Sequence, residues 1–400
     1  MRIGLLTFHL TTNYGAQLQA FALMTAIRRL GHEVVFINRQ DATMRQMLSA
    51  NVESVGKYRI SFKALVTRFV FYVFGIGCQV QKDRVDSAIG FADSFFPQTN
   101  FSFDKWNEVP VCAWRLAKID MVVVGSDQVW NCVWMDPSAY LLENAPQVRA
   151  LTYAVSFGMS NIPQHEKPRY LAALGRLGAV SAREMEGVNI IVAEGFRADH
   201  VCDPTLLIEA EGWANVTGGM ETSPRRTWVM YFISSNWSDE LDAIDACAKK
   251  NNIAVEIFLG KARDRRIRPL KNLLTFVKEK RILKHGNVHV REGAGVADFV
   301  RSLAHADGVV SDSFHALMLS SIFHRNVRIL EPQNIGRRIM FSRIEEFAAM
   351  YVCGDWRAGS IGAACHSLLN RPPITFADDK ISQFKDYSLS WLRDALEKSE

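Results

Sequence analysis

Short apolar runs alternate with helical patterns along most of the chain. Arg2 to Phe8 alternates too little for a strand with one wet face and reads as a buried parallel strand. A polar loop follows, and then Ala20, Leu23, Ile27 and Leu30 recur at helical spacing until Gly31 stops the helix. Glu33 to Asn38 reads as the next strand, so the chain opens with a βαβ unit. Met121 to Val124, Leu151 to Val155 and Gly178 to Ser181 repeat the theme, each ending in small or polar residues, and Asp203-Pro204 punctuates the last of these stretches.

The polar stretch GWANVTGGMETSPRR breaks this rhythm and places a hinge at about Gly218 to Arg226. Beyond it, strands are predicted at Trp228 to Ile233, Ile253 to Leu259, Val288 to Arg291, Gly308 to Val310 and Val327 to Leu330, with an amphipathic helix at Ile381 to Leu396. The expectation is an α/β protein of two Rossmann-like domains, residues 1–222 and 223–400, facing each other across a cleft in the arrangement called GT-B. One segment fits poorly. KALVTRFVFYVFGIGC, Lys63 to Cys78, is strongly apolar yet shorter than the roughly 20 residues that span a bilayer. It reads either as a helix packed on the first domain or as an interfacial helix, with Lys57, Arg59, Lys63 and Arg68 near lipid phosphates.

Composition supports the two-domain reading, because 400 residues, 48% of them hydrophobic, exceed what one core usually holds. Lys and Arg outnumber Asp and Glu by 47 to 42, and a net charge of +5 is too diluted over this length to announce nucleic-acid binding. It leaves a mild preference for anionic substrates or an anionic membrane surface. Seven scattered cysteines without a CxxC pair argue for a reducing compartment and against a disulfide framework or a structural zinc site. The N-terminal apolar run is too short for a signal peptide, which points to the cytoplasm.

Candidate chemistry gathers at predicted strand ends, where ligands of open α/β sheets bind. DGVVSDSFHALMLSSIF, Asp307 to Phe323, runs from strand into helix through Ser311, Asp312 and Ser313. Helix capping alone accounts for the Ser and Asp residues. It does not account for His315 in the first turn, where the helix dipole disfavours a cation but where a bound anion would favour one. Arg183 in GAVSAREMEG and Arg337-Arg338 in EPQNIGRRIMFSR stand near two further strand ends, and arginine forks hold carboxylate and phosphate oxygens at two points.

In the first domain, TTNYGAQLQA offers Asn13, Tyr14 and Gln17 around Gly15, and GSDQVWN offers Asp127, Gln128 and Trp130. Two readings of the second stretch stand level: an aromatic face with polar neighbours for a sugar ring, or a capped turn with Trp130 in the core. The chain shows no GxGxxG after the first strand, no GxxxxGK[ST], no HExxH, no paired-Cys metal spacing and no GxSxG elbow, so the sequence gives no positive reason to invoke a metal or a dinucleotide.

Taken together, GLLTFHLTTNYGAQLQAFAL, VVVGSDQVWN, LTYAVSFG, SAREMEG followed by VCDPTLL, and VVSDSFHALMLSSIF resemble the polysaccharide pyruvyl transferase family, in order and spacing, over roughly Met1 to Phe341. The resemblance implies transfer of a pyruvyl group from phosphoenolpyruvate to a saccharide acceptor, as a ketal across two hydroxyls, without a metal or other cofactor. The acceptor could be polyprenyl-diphosphate-linked, which would suit peripheral contact with the cytoplasmic face of the membrane. On this resemblance His315 falls on the family's histidine at the enol ether, and Arg183 and Arg337 or Arg338 on basic residues that hold the donor; with Ser311 and Ser313 they make up the expected donor site, mainly on the second-domain side, with His315 as general acid. Asn13, Tyr14, Asp127, Gln128 and Trp130 are assigned to the acceptor on the first-domain side. Ala316 replaces the Gly usual after the histidine. A nucleotide-sugar-dependent glycosyltransferase is the alternative, since one architecture serves both chemistries. A non-catalytic component that binds a sugar or a polyprenyl phosphate is a third reading.

Overall fold

The structure is a computed structural model, and it describes residues 1–40, 78–217, 225–233, 237–260, 287–332 and 338–398. The first domain carries a parallel sheet of strands β1 (Arg2–Leu6), β2 (Glu33–Arg39), β3 (Gln98–Phe103), β4 (Met121–Val124) and β5 (Arg149–Thr152), in the order β3-β2-β1-β4-β5. A short parallel pair, β6 (Ser181–Ala182) and β7 (Asp199–His200), extends it through an isolated bridge from Val155 to Ala182. The second domain carries β8 (Thr227–Phe232), β9 (Ala254–Leu259), β10 (Val288–Val290), β11 (Gly308–Ser311) and β12 (Val327–Leu330). Beyond β13 (Val352–Cys353), strand β14 (Arg357–Ala358) completes this second parallel sheet in the order β10-β9-β8-β11-β12-β14, while β13 pairs separately with β15 (Thr375–Phe376).

The runs read from sequence lie on or overlap these strands, Gly178 to Ser181 only at its last residue, while β3, whose pattern QTNFSF alternates weakly, and the two-residue strands β7, β13, β14 and β15 escape the sequence reading. In each sheet the strand order reverses once, between β1 and β4 and between β8 and β11. Such switch points leave a crevice beyond the carboxyl ends of the two strands; the segments carrying Asn13, Asp127 and His315 leave β1, β4 and β11 there, while Arg183 follows β6.

The helix Tyr14–Arg29 shows how local sequence sets up this geometry. Asn13 caps it by accepting the Gly15 N–H at 3.0 Å, Arg28 and Arg29 stand in its last turn where the dipole favours cations, and Gly31 breaks it at φ 89°. Nearly all of it is buried, between the first sheet and the helix Cys78–Phe95 with the turn Pro204–Leu207.

Contacts between the domains are extensive. Tyr14 stacks on Tyr231 and Phe299 with ring centroids 5.3 and 5.2 Å apart, and its hydroxyl donates to the Ala294 carbonyl at 2.6 Å. Arg84 donates to the carbonyls of Thr12 and Gly260, both at 2.9 Å, and so ties the first loop to the end of β9.

The closing helix, Asp378–Glu397, lies where the pattern predicts but crosses back onto the first domain. Its Trp391 indole donates to Asp199 at 2.8 Å, and its Ser388 hydroxyl accepts the Cys202 N–H at 2.9 Å. The predicted hinge from Gly218 to Pro224 lies outside the described residues, as does the apolar segment from Lys63 to Gly77; only its last residue, Cys78, begins a described helix. Among the described residues no helix is long and apolar enough to cross a membrane.

Candidate active site

Arg183 follows β6 directly, and its backbone N–H donates to the Val155 carbonyl at 3.1 Å, which fixes where the side chain departs. The guanidinium is buried, with 1% of the side chain exposed. Its Nη1 donates to Asp203 Oδ2 at 2.8 Å and reaches Ser126 Oγ at 3.4 Å. Asp127 Oδ1 lies 3.8 Å from Nη2 and Glu184 Oε2 3.6 Å from Nε, yet neither nitrogen has a hydrogen-bond partner. Burial opposes the charge, but Asp203, Glu184 and Asp127 outweigh it and hold the arginine above its ordinary range.

Asp203 caps the turn Pro204–Leu207, where Oδ1 accepts both the N–H of Thr205 at 2.9 Å and its hydroxyl at 2.6 Å. Burial alone would raise its pKa; His315, Arg183 and Thr205 overcome that and keep the carboxyl well below the usual range. It therefore presents a fixed negative charge to the second domain.

From the second domain comes the helix Phe314–Ile322, capped by Ser313 Oγ, which accepts the Ala316 N–H at 3.4 Å. His315, in its first turn, places Nε2 3.6 Å from Asp203 Oδ2, and that buried nitrogen has no hydrogen-bond partner. On the other side of the ring a Cβ added to Gly15 would sit 2.1 Å from Nδ1, so the first loop closes onto the imidazole only because residue 15 is glycine.

Arg343, on the helix Arg338–Tyr351, stands with its guanidinium carbon 5.4 Å from the Phe314 ring centroid; that of Arg183 is 5.1 Å from the same ring. Burial, and then the like charge of Arg183, push Arg343 down to about 10, and its Nε and Nη1 are buried without partners. A crevice joins Arg183, Asp203, Phe314, Arg343 and Glu346. Buried Arg183 and half-buried Arg343 share one aromatic ring, and four of their guanidinium nitrogens are buried without partners, so the crevice, about 20 Å³ as it stands, is rich in donors. Unpaired buried donors cost about 1–3 kcal/mol each, and an anion with several oxygens would satisfy them together.

The predicted residues divide. Arg183 stands between Asp127 and Asp203, and Asp203 in turn faces His315. Ser311 and Ser313 are fully buried and engaged by the fold: the Ser311 hydroxyl donates to the Tyr231 carbonyl at 2.6 Å and accepts the Ser313 N–H at 3.1 Å, while Ser313 caps its helix. Arg338 is only the first residue of its helix, and Arg337 lies outside the described residues. The residue of that stretch found at the crevice is Arg343, further along the same helix.

The acceptor assignments need more correction. Trp130 is fully buried, donates to the Tyr140 carbonyl at 3.1 Å, and meets Phe157 and Tyr170 edge-on, so it presents no face to a sugar. Gln128 is buried against Gly158, where an added Cβ would fall 2.3 Å from Nε2. Tyr14 is spent on the domain interface and Asn13 on capping.

The model of one family, described as polysaccharide pyruvyl transferase, matches residues 13–334. No curated protein matches the sequence. Among solved structures, the UDP-GlcNAc 2-epimerase from Neisseria meningitidis bound to UDP-GlcNAc aligns over 100% of both chains at 10% identity and a TM-score of 0.51. Another UDP-N-acetylglucosamine 2-epimerase aligns over 96% of this chain and 90% of its own at 10% identity and a TM-score of 0.50. At such identities the likeness speaks for the fold alone, two α/β domains facing a cleft in the GT-B manner.

Proposed function

Because the chain belongs to the polysaccharide pyruvyl transferase family, we propose that it transfers the pyruvyl group of phosphoenolpyruvate to a sugar of a polysaccharide precursor. The observation that carries this reading is the pair of incompletely matched arginines, buried Arg183 and half-buried Arg343, on the Phe314 ring next to His315. Phosphoenolpyruvate has a carboxylate and a phosphate separated by one carbon, and two guanidinium groups held on one ring suit such a frame with two anionic ends.

His315 protonates the methylene carbon, and the adjacent carbon becomes oxocarbenium-like. A sugar hydroxyl adds there and gives up its proton; the carbon–oxygen bond to phosphate breaks; a second hydroxyl adds, loses its proton and closes the ketal. One of the two released protons replaces that taken from His315, and the other leaves with phosphate. The arginines hold the phosphate and carboxylate through this charge redistribution, and Asp203 balances the charge of a protonated His315. Besides Asp203, the buried carboxylates of Asp127 and Glu184 lie 3.8 and 3.6 Å from Arg183. Contact with the cytoplasmic face of a membrane belongs to the same proposal, and co-sedimentation with anionic vesicles tests it.

The reading is tested by phosphate release from phosphoenolpyruvate in the presence of saccharide acceptors, by wild type and by His315→Ala. Acceptor-dependent release that the substitution abolishes supports it. Full activity in His315→Ala removes the acid role, and stabilisation by UDP but not by phosphoenolpyruvate makes the chain a nucleotide-sugar enzyme.

A further inference from the structure

A second concavity, about 410 Å³ in volume, lies between the helix Met185–Ala193 of the first domain and the helix Arg338–Tyr351 of the second. This is within the range of ~300–1,000 Å³ typical of small-molecule sites. It adjoins the arginine crevice, because Glu346 lines both, Ser342 precedes Arg343 on one wall and Glu186 follows Arg183 and Glu184 on the other. Glu346 also joins the walls, accepting the Met185 N–H at 3.0 Å.

The chemistry of the two spaces is opposite. The crevice holds two arginines with donors to spare, whereas the hollow is lined by amide and hydroxyl groups, Asn161, Asn189 and Ser342, by the carboxylates Glu186 and Glu346, and by an apolar floor at Ile162 and Ile190. Its cation, Lys167, is matched by Glu194 at 2.5 Å. Burial, then Glu184 and Glu346, hold the Glu186 carboxyl above its ordinary range, a setting that disfavours a further negative charge. A neutral polyol with one apolar face fits; an anion does not.

We propose that this hollow is the saccharide acceptor subsite, which would take the sugar in its polar lining and direct a pair of its hydroxyls at the arginine crevice. The proposal rests on the pyruvyl transfer reading for the direction of the sugar, but not for its binding. It moves the acceptor from the loops at Asn13 and Gln128–Trp130 to the opposite flank of Arg183.

The test is saturation-transfer NMR with methyl β-glycosides of galactose, glucose, mannose and N-acetylglucosamine at millimolar concentration, on wild type and on Asn189→Trp, together with a thermal-shift titration of both with phosphoenolpyruvate. Asn189 is exposed on its helix, so the indole fills the hollow without entering the core. At least one glycoside should give a signal that falls more than fivefold in Asn189→Trp, while the shift with phosphoenolpyruvate stays unchanged. A signal of equal strength in the variant, or none with any glycoside, overturns the subsite. Should Asn189→Trp fail to fold, Asn161→Ala replaces it, with a fall of at least twofold expected. A glycoside signal sensitive to Asn189 without any response to phosphoenolpyruvate would leave the sugar site standing and sink the pyruvyl transfer reading instead.

Discussion

Two strand ends that look alike in sequence behave differently in the fold. VVSDSFH leaves β11 and VVVGSDQVW leaves β4; both pass through Ser and Asp to an aromatic residue, and both sit at a switch point. At the first, a capped helix starts at once and its opening turn aims His315 across the cleft. At the second, Asp127 adopts φ 78°, its carbonyl accepts the N–H groups of Val129 and Ser156, and the chain turns Trp130 into the core. A strand end is thus a place where chemistry can stand, but the backbone of the next three residues decides whether a side chain faces the crevice or the interior.

That contrast predicts a crossed pattern of effects. Trp130→Ala should lose about 3–5 kcal/mol of stability by emptying a core site, read by denaturant unfolding, with the catalysis of the remaining folded fraction largely kept. His315→Ala should do the reverse, losing about 10²- to 10⁴-fold in turnover with unfolding little changed. Equal effects of both on stability would erase the distinction between the two strand ends.

The arginine pair sharpens the comparison within the site. Arg183→Met leaves Asp203 buried without its partner and should cost about 3–5 kcal/mol in stability as well as the donor. Arg343→Met relieves a charge crowded by burial and by Arg183, so its stability should hold or rise while affinity for phosphoenolpyruvate falls by about 10-fold or more, equal to ~1.4 kcal/mol. Calorimetry and thermal unfolding of the two variants separate these outcomes.

Gly15→Ala is the next smaller perturbation. The new methyl group must push the His315 ring or the first loop aside, and a misplacement of this size costs about 10²-fold in turnover. Steady-state kinetics with folding checked by circular dichroism would show it; an unchanged rate would mean that the ring moves freely.

His9 gives the most local effect, one that shows only as the pH falls. Burial, partly offset by the Thr7 carbonyl at 3.0 Å, pushes His9 down to about 4 from an ordinary value near 6.5. Between these values the unfolded chain binds the extra proton and the folded one does not. Stability should therefore fall as pH drops from about 6.5 to about 4, by on the order of 3 kcal/mol, and His9→Gln should flatten that part of the curve.

Much of this was legible in the chain. The switch-point strands are short apolar runs, and His315 and Arg183 stand out as basic residues immediately after such runs. Arg343 was hidden because EPQNIGRRIMFSR contains three arginines and strand logic favours the two nearest β12. A helical reading starting from Phe341, Ile344, Phe347 and Tyr351, all buried, would have placed Arg343 one turn before Phe347 on the inner side. Trp130 was ambiguous because a positive φ at a non-glycine residue leaves no trace in composition. The return of the closing helix to the first domain depends on pairings such as Trp391 with Asp199, 192 positions apart, which no local pattern contains.

The central claim is that an anionic donor sits between Arg183 and Arg343 next to His315, and calorimetric titration of phosphoenolpyruvate into wild type and Arg343→Met tests it most directly. Binding to wild type should be saturable and weaken at least tenfold in the variant, with UDP giving no heat in either. Undiminished binding to Arg343→Met, or binding of UDP in place of phosphoenolpyruvate, would contradict it.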